Sequence, residues 1–152
     1  MLKKQLCEET VHMDLKAVER DEALEELLEK LRDAERVPED MVDVALRALI
    51  EREKLGSTAI GNSVAVPHAR VEELDEVAVA FGYSQPGVSF NALDGQPVHH
   101  VFLVVGPEGN NDGYAELMKQ ISTLVRDEDF RHFLRQSRSK KQIVDLIGDM
   151  QI

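Results

Sequence analysis

The stretch REKLGSTAIGNSVAVPHAR, Arg52 to Arg70, sets a single histidine directly after a short apolar run and a proline. Three small-residue turns, Gly56-Ser57-Thr58, Gly61-Asn62-Ser63 and Pro67-His68-Ala69, crowd around it. Proline fixes its own φ and drives the preceding residue toward extended geometry. Val64-Ala65-Val66-Pro67 therefore reads as a stiff approach that delivers His68 at the end of a strand, a place where sheet proteins build sites. A histidine so placed can be a metal ligand, a general base, a phosphoryl acceptor or a satisfied polar residue with no chemistry.

A metal needs further ligands, and the other histidines supply none at useful spacing. His99 and His100 are neighbours on a predicted strand, so they point to opposite faces. His12 and His132 have no ligand spacing with each other or with His68. Nucleophilic hydrolysis lacks a G-x-S-x-G elbow, and Cys7 has no sequence context that activates its thiol. Phosphoryl acceptance uses more of the local sequence. A neutral imidazole, with an ordinary pKa of about 6.5, keeps a free nitrogen that can attack phosphorus without a separate base. Charge on three equatorial oxygens must then be stabilised. The glycine turns offer backbone N–H groups, the Ser57 and Thr58 hydroxyls can donate, and Arg52 can supply a compensating charge. Each piece also has a purely structural use: Ser57 and Thr58 as turn residues, Gly61 at a left-handed position, Arg52 as a solvated helix-end cation.

The elements that must position these groups follow from periodicity. Residues 21–35 carry Leu24, Leu27, Leu28 and Leu31 on one helix face. A second helix is predicted from Pro38 at its first position, with Val42, Ala45, Leu46 and Leu49 as its apolar face and Gly56 as its stop. Extended segments are predicted at Val64–Val66, Val77–Tyr83 and Val98–Val105, the last almost continuously apolar after its histidines, as in a strand covered on both faces. Helices return at roughly 114–126, 129–136 and 140–149, with Ser139 and Gln142 as a capping box for the last. Helices before, strands between and helices after predict an α/β or α+β sandwich.

At 152 residues the chain reads as one domain, residues 1–152, with enough length for a real core. Eighteen Lys and Arg against 29 Asp and Glu give a formal net charge of -11, which argues against nucleic acid and against an anionic membrane surface as partners. It favours partners that offer a basic face, or serves solubility alone. The single cysteine forms no internal disulfide, and the longest apolar run, Val101 to Val105, is too short to span a bilayer. A cytoplasmic location is expected.

The Arg52–Arg70 stretch resembles the active-site signature of phosphotransferase-system enzyme IIA domains of the fructose/mannitol type, especially the nitrogen-regulatory branch. In that pattern a Gly-Ser-Thr turn and a Gly-Asn turn lead into Ala-x-Pro-His. FNALDGQPVHHVFLVV, Phe90 to Val105, is similar to the family's F-x-A-x-D-x-x-P-V and following core strand. The resemblance spans nearly the whole chain. It implies a mixed, roughly five-stranded sheet with helices on both faces, and a phosphocarrier activity without cofactor or metal. In this activity His68 accepts a phosphoryl group from the histidine phosphocarrier protein, then passes it to a IIB domain or holds it as a regulatory mark read by target proteins. It implies that Arg52 lies near the phosphohistidine, that Ser57 and Asn62 neighbour the site, and that a homodimer is an option. Family members usually carry a second histidine at the start of the helix after the long core strand. Here, after GPEGNNDG, that position is Tyr114. A tyrosine donates one hydrogen bond but cannot become a cation. Either Tyr114 replaces the donor and transfer is kept, or the chain is a regulatory binding module tuned away from transfer, or Tyr114 points elsewhere.

Overall fold

A computed structural model describes residues 2–109 and 112–150. In chain order it contains α1 (Leu2–Gln5), β1 (Val11–His12), α2 (Arg20–Asp33), α3 (Val42–Leu55), β2 (Val64–Ala65), β3 (His68–Arg70), β4 (Ala78–Val88), β5 (Val98–Gly106), α4 (Asp112–Arg126), α5 (Glu128–Gln136) and α6 (Lys140–Asp149), with 3-10 turns at Glu8–Thr10 and Glu39–Met41. The strands form one mixed sheet in the order β1-β4-β5-β2, with β3 also on β5. β4 and β5 are antiparallel, and β1, β2 and β3 run parallel to their partners.

Alternation along β5 divides the core in two. Val101, Leu103 and Val105 pack with the α2 leucines and with Ala45 and Leu49 of α3. Phe102 and Val104 face the opposite side, against Leu117, Ile121, Phe130, Leu134, Ile143 and Ile147 of α4–α6 and Leu2 of α1. A strand covered on both faces must be apolar at every position, which accounts for the run read in the sequence. Among the described residues no helix is long and apolar enough to cross a membrane.

Several boundaries differ from the sequence expectations. Pro38 is extended (φ -60°, ψ 145°) and precedes a 3-10 turn, so α3 starts at Val42. β4 continues past the expected end at Tyr83 to Val88, with Ser84-Gln85-Pro86-Gly87 forming an irregularity in the ladder. The Ser84 hydroxyl accepts the Gly87 N–H at 3.0 Å there. The Ser139 hydroxyl caps Gln142 N as expected, but the Gln142 amide oxygen accepts from Arg138 N at 2.6 Å rather than from the cap residue. β1 and α1 are too short to show a periodicity.

α2 ends in a Schellman-like turn in which Arg36 N–H donates to Leu31 O and Glu35 N–H to Arg32 O. Glu35 occupies the left-handed position there, with φ 59°. That conformation favours glycine, so Glu35→Gly is expected to raise the unfolding free energy by about 0.5–1 kcal/mol in urea titration.

Candidate functional site

The offset between β2 and β5 (Val64 opposite His100, Ala65 opposite Val101) is the same as that between β3 and β5 (His68 opposite Val104, Ala69 opposite Val105). The two are therefore one edge strand, interrupted only at Val66-Pro67. Proline has no N–H to give, and an edge strand tolerates that loss. Its carbonyl still accepts Val104 N–H at 2.9 Å, which keeps the register. His68 thus does not end a strand, as its sequence predicts, but restarts one. Ala69 is buried toward α3, while His68 is half-buried and Arg70 exposed on the alternate side.

The His68 ring is fixed by its own backbone. Nδ1 lies 2.8 Å from Val66 O, and a carbonyl oxygen can only accept. Nδ1 therefore carries the proton, and Nε2 is left with a lone pair. Two clefts meet at this ring. One, of about 500 Å³, is lined by Arg52, Ser57, Thr58, Gly61 and Asn62 together with α4–α5 residues that include Met118, Arg126 and Arg131. The other, of about 510 Å³, lies between α3 and α4 and is lined by Arg52, Leu55, Arg70 and Tyr114. Every residue predicted for the site borders His68 in one cleft or the other. A larger cleft of about 830 Å³, between the end of α2 and the segment before β4, is lined by Arg32, Asp33, Glu35, Glu73 and their neighbours, without histidine, cysteine or hydroxyl side chains.

Arg52, Ser57 and Thr58 each make a scaffold contact, and the single protons of the two hydroxyls, expected from the sequence to be free to donate, are spent within the fold. Arg52 donates to Gly56 O at 2.9 Å, closing the C-terminus of α3. The Ser57 hydroxyl donates to Phe90 O at 2.8 Å and accepts Ala59 N–H at 3.1 Å, tying the turn to the segment after β4. The Thr58 hydroxyl and N–H both donate to the carboxylate of Glu53, at 2.5 and 3.2 Å. Glu53 is buried at the end of α3 and holds the turn from below. Asn62 and Ser63 are both left-handed, with φ 59° and 67°, a conformation that asparagine adopts readily and serine less so. The Ser63 carbonyl accepts N–H groups from His99 and His100, at 3.0 and 3.1 Å, so the start of β5 holds this strained loop in place.

Tyr114 points into the fold and toward the site together. It is 6% exposed, and its ring packs so closely on Gly106 that a Cβ there would lie 2.8 Å from Tyr114 Cδ2 and 3.1 Å from Val77 Cγ2. Gly106→Ala is expected to cost about 1–3 kcal/mol in chemical denaturation, because the ring or the strand must move. Burial pushes the Tyr114 phenol above its usual range, against the pull of Arg70 and Arg52. Arg70 was not singled out in the sequence. Strand alternation carries the signal, since residue 70 follows 68 by one period.

The charge around the ring differs in sign from the charge of the chain. Arg52, Arg70, Arg126 and Arg131 line the two clefts, although the net charge is -11. Net charge governs long-range steering, whereas a phosphoryl group responds to cations within hydrogen-bonding reach. His99 and His100 do point to opposite faces. His99 Nδ1 donates to Ser84 O at 2.8 Å, while His100 is buried 5.5 Å from the Tyr83 ring.

The family described as "Phosphoenolpyruvate-dependent sugar phosphotransferase system, EIIA 2" matches residues 4–150. The chain is 34% identical over 134 residues to a nitrogen regulatory protein of Bradyrhizobium diazoefficiens, covering 88% of this chain and 86% of that protein. It is 32% identical over 143 residues to a fructose-specific EIIABC component of Bacillus subtilis, covering 94% of this chain but only 22% of that longer protein. The fold superposes on a nitrogen regulatory protein IIA-Ntr from Neisseria meningitidis with a TM-score of 0.84 at 24% identity, covering 96% of this chain and 98% of that one. It also superposes on the IIA of an Escherichia coli complex of mannitol enzyme IIA with phosphorylated enzyme IIB, with a TM-score of 0.74 at 24% identity, covering 93% and 95%.

Proposed function

This chain belongs to the phosphoenolpyruvate-dependent sugar phosphotransferase system EIIA 2 family, and from that premise we propose that His68 accepts a phosphoryl group through Nε2. The donor is the histidine phosphocarrier protein, and the product is either passed to a IIB domain or kept as a regulatory mark in the cytoplasm. The observation that carries this reading is the Nδ1–H···O=C bond to Val66 at 2.8 Å, which selects the tautomer whose nucleophilic nitrogen is Nε2.

The Nε2 lone pair forms a new N–P bond while the N–P bond of the donor phosphohistidine breaks. That electron pair returns to the donor ring, which leaves as neutral imidazole when its other nitrogen is protonated. The His68 ring keeps its Nδ1 proton and becomes cationic, and the Val66 carbonyl dipole stabilises it. Arg52 faces the transferring oxygens across the cleft, and the Ser57, Thr58 and Asn62 turns fix the cleft wall from which backbone N–H groups reach them.

The two fates of the phosphoryl group use one surface. Leu55 and Ile60, 85% and 64% exposed, flank His68 in the two clefts and offer apolar contacts to a docking protein beside the arginines. A phosphate of about -1.5 to -2 charge there would change which partners fit. A module that only binds is the second reading, motivated by a tyrosine at position 114 where a titratable cation is expected. Pull-downs with wild type and His68→Glu distinguish the two, since identical partner sets would count against a phospho-switch.

The direct test is intact-mass spectrometry at neutral or basic pH after incubation with phosphoenolpyruvate, enzyme I and the carrier protein. One added phosphoryl group is expected. No uptake from several cognate carriers would leave the binding module as the better account.

A further inference from the structure

We propose that Arg70 is a second phosphoryl-contacting cation of this site, and that Tyr114 is the positioning residue that aims it. The proposal rests on the reading of His68 as the phosphoryl acceptor.

The placement follows from β3. Residues two apart on a strand stand on the same side, about 7 Å from each other, so Arg70 accompanies His68 along the open edge of the sheet. That edge faces the cleft between α3 and α4, which His68, Arg52, Arg70 and Tyr114 line together. Arg52 and Arg70 therefore flank the space next to His68, one from the end of α3 and one from the strand itself.

The Arg70 head is held rather than free. Its Cζ lies 4.4 Å from the Tyr114 ring centroid, a cation–π distance. One terminal nitrogen donates to Gly109 O at 3.1 Å. Tyr114 is buried and locked against Gly106, so it is a rigid platform. A guanidinium has five N–H donors, and one bond to Gly109 leaves others for phosphoryl oxygens. Tyr114 cannot itself be a cation, but it fixes a group that always is one. Planar stacking with directed donors is specific to arginine, and lysine reproduces only its charge.

The experiment uses phosphoramidate, a small donor that needs no protein docking. The His68 Nε2–P bond forms, the P–N bond of phosphoramidate breaks, and ammonia leaves with the electron pair. Initial rates would be followed by intact mass for wild type, Arg70→Ala, Arg70→Lys, Tyr114→Phe, Tyr114→Leu and His68→Ala, each first checked for native circular dichroism. Arg70→Ala is expected to slow phosphorylation about ten- to hundredfold, the loss of one charge-assisted contact. Arg70→Lys should recover only part of the rate. Tyr114→Phe, which keeps the platform, should stay within about threefold of wild type. Tyr114→Leu should be slow in the wild-type background yet add nothing to Arg70→Ala, the non-additivity expected of a residue acting through another. Should Tyr114→Leu fail to fold, the Arg70 series and Tyr114→Phe still decide. An Arg70→Ala rate equal to wild type, with His68→Ala inert, would overturn the proposal and leave Arg70 as a strap on Gly109. Slowing seen only with the phosphorylated carrier protein would also overturn it, by making Arg70 a docking residue. Absence of phosphorylation in wild type with both donors would overturn this proposal and the proposed function together.

Discussion

His68→Ala is expected to abolish phosphoryl uptake, lowering the rate at least about a thousandfold, because it removes the Nε2 lone pair proposed to form the N–P bond. The other described imidazoles do not substitute for it: His132 is exposed on α5 beside Phe133 and lines neither cleft, and the other three are engaged or buried. His100 is 3% exposed, His99 is bonded through Nδ1 to Ser84 O, and His12 Nε2 lies 2.6 Å from Glu26 Oε2. The substitution should leave the fold intact. His68 is half-buried on an edge strand, and it gives up one hydrogen bond to Val66, about 0.5–1.5 kcal/mol. Loss of uptake with an unfolding midpoint close to wild type would separate chemistry from stability. Uptake at the wild-type rate without His68 would end the account of the site.

The second large effect concerns acid stability and belongs to His100. Its ring is buried near Phe81 and Tyr83, and its Nε2 has no hydrogen-bond partner among the described residues. Burial, reinforced by His99, Arg135 and Arg138, pushes its pKa down from the ordinary value to about 4. The unfolded chain takes up this proton near pH 6.5, whereas the folded chain refuses it until about pH 4. Between those values the unfolded state binds more protons, so stability falls as pH falls. The slope approaches about 1.4 kcal/mol per pH unit, and the total loss is about 3 kcal/mol. Above pH 6.5 this histidine contributes no pH dependence. Carboxylates add their own slopes, so the informative quantity is wild type minus His100→Phe in urea melts from pH 4 to 7.5. A difference that grows with acidity in favour of the variant is expected. Parallel profiles would mean that His100 reaches solvent.

Much of the fold, and most of the lining of the candidate site, is legible in the sequence, and the failures have physical reasons. The leucine face of α2 and the apolar run of β5 were legible because each buries one unbroken periodic set of residues. The strand expected to end at Tyr83 runs on to Val88 because only the pairing of β4 with β5 shows that Ser84–Gly87 is an irregularity within the ladder. The sequence places His68 at the end of a strand, since local geometry does not reveal that the partner strand holds the same register on both sides of Pro67. The sequence marks the Ser57 and Thr58 hydroxyls as free donors, but it does not reveal that Ser57 is bonded to Phe90 O, thirty-three residues away, or that Thr58 is bonded to the buried Glu53. Arg70 was legible in principle from strand period alone. Its contact with Tyr114 was not, because it joins an edge strand to a helix that begins some forty residues later.

The most direct measurement is 15N–31P NMR of the phosphorylated chain, with imidazole nitrogens labelled. The account predicts one phosphorylated histidine, His68, with phosphorus coupled to Nε2 and the proton kept on Nδ1 toward Val66. Phosphorus on Nδ1, or on any residue other than His68, would contradict it.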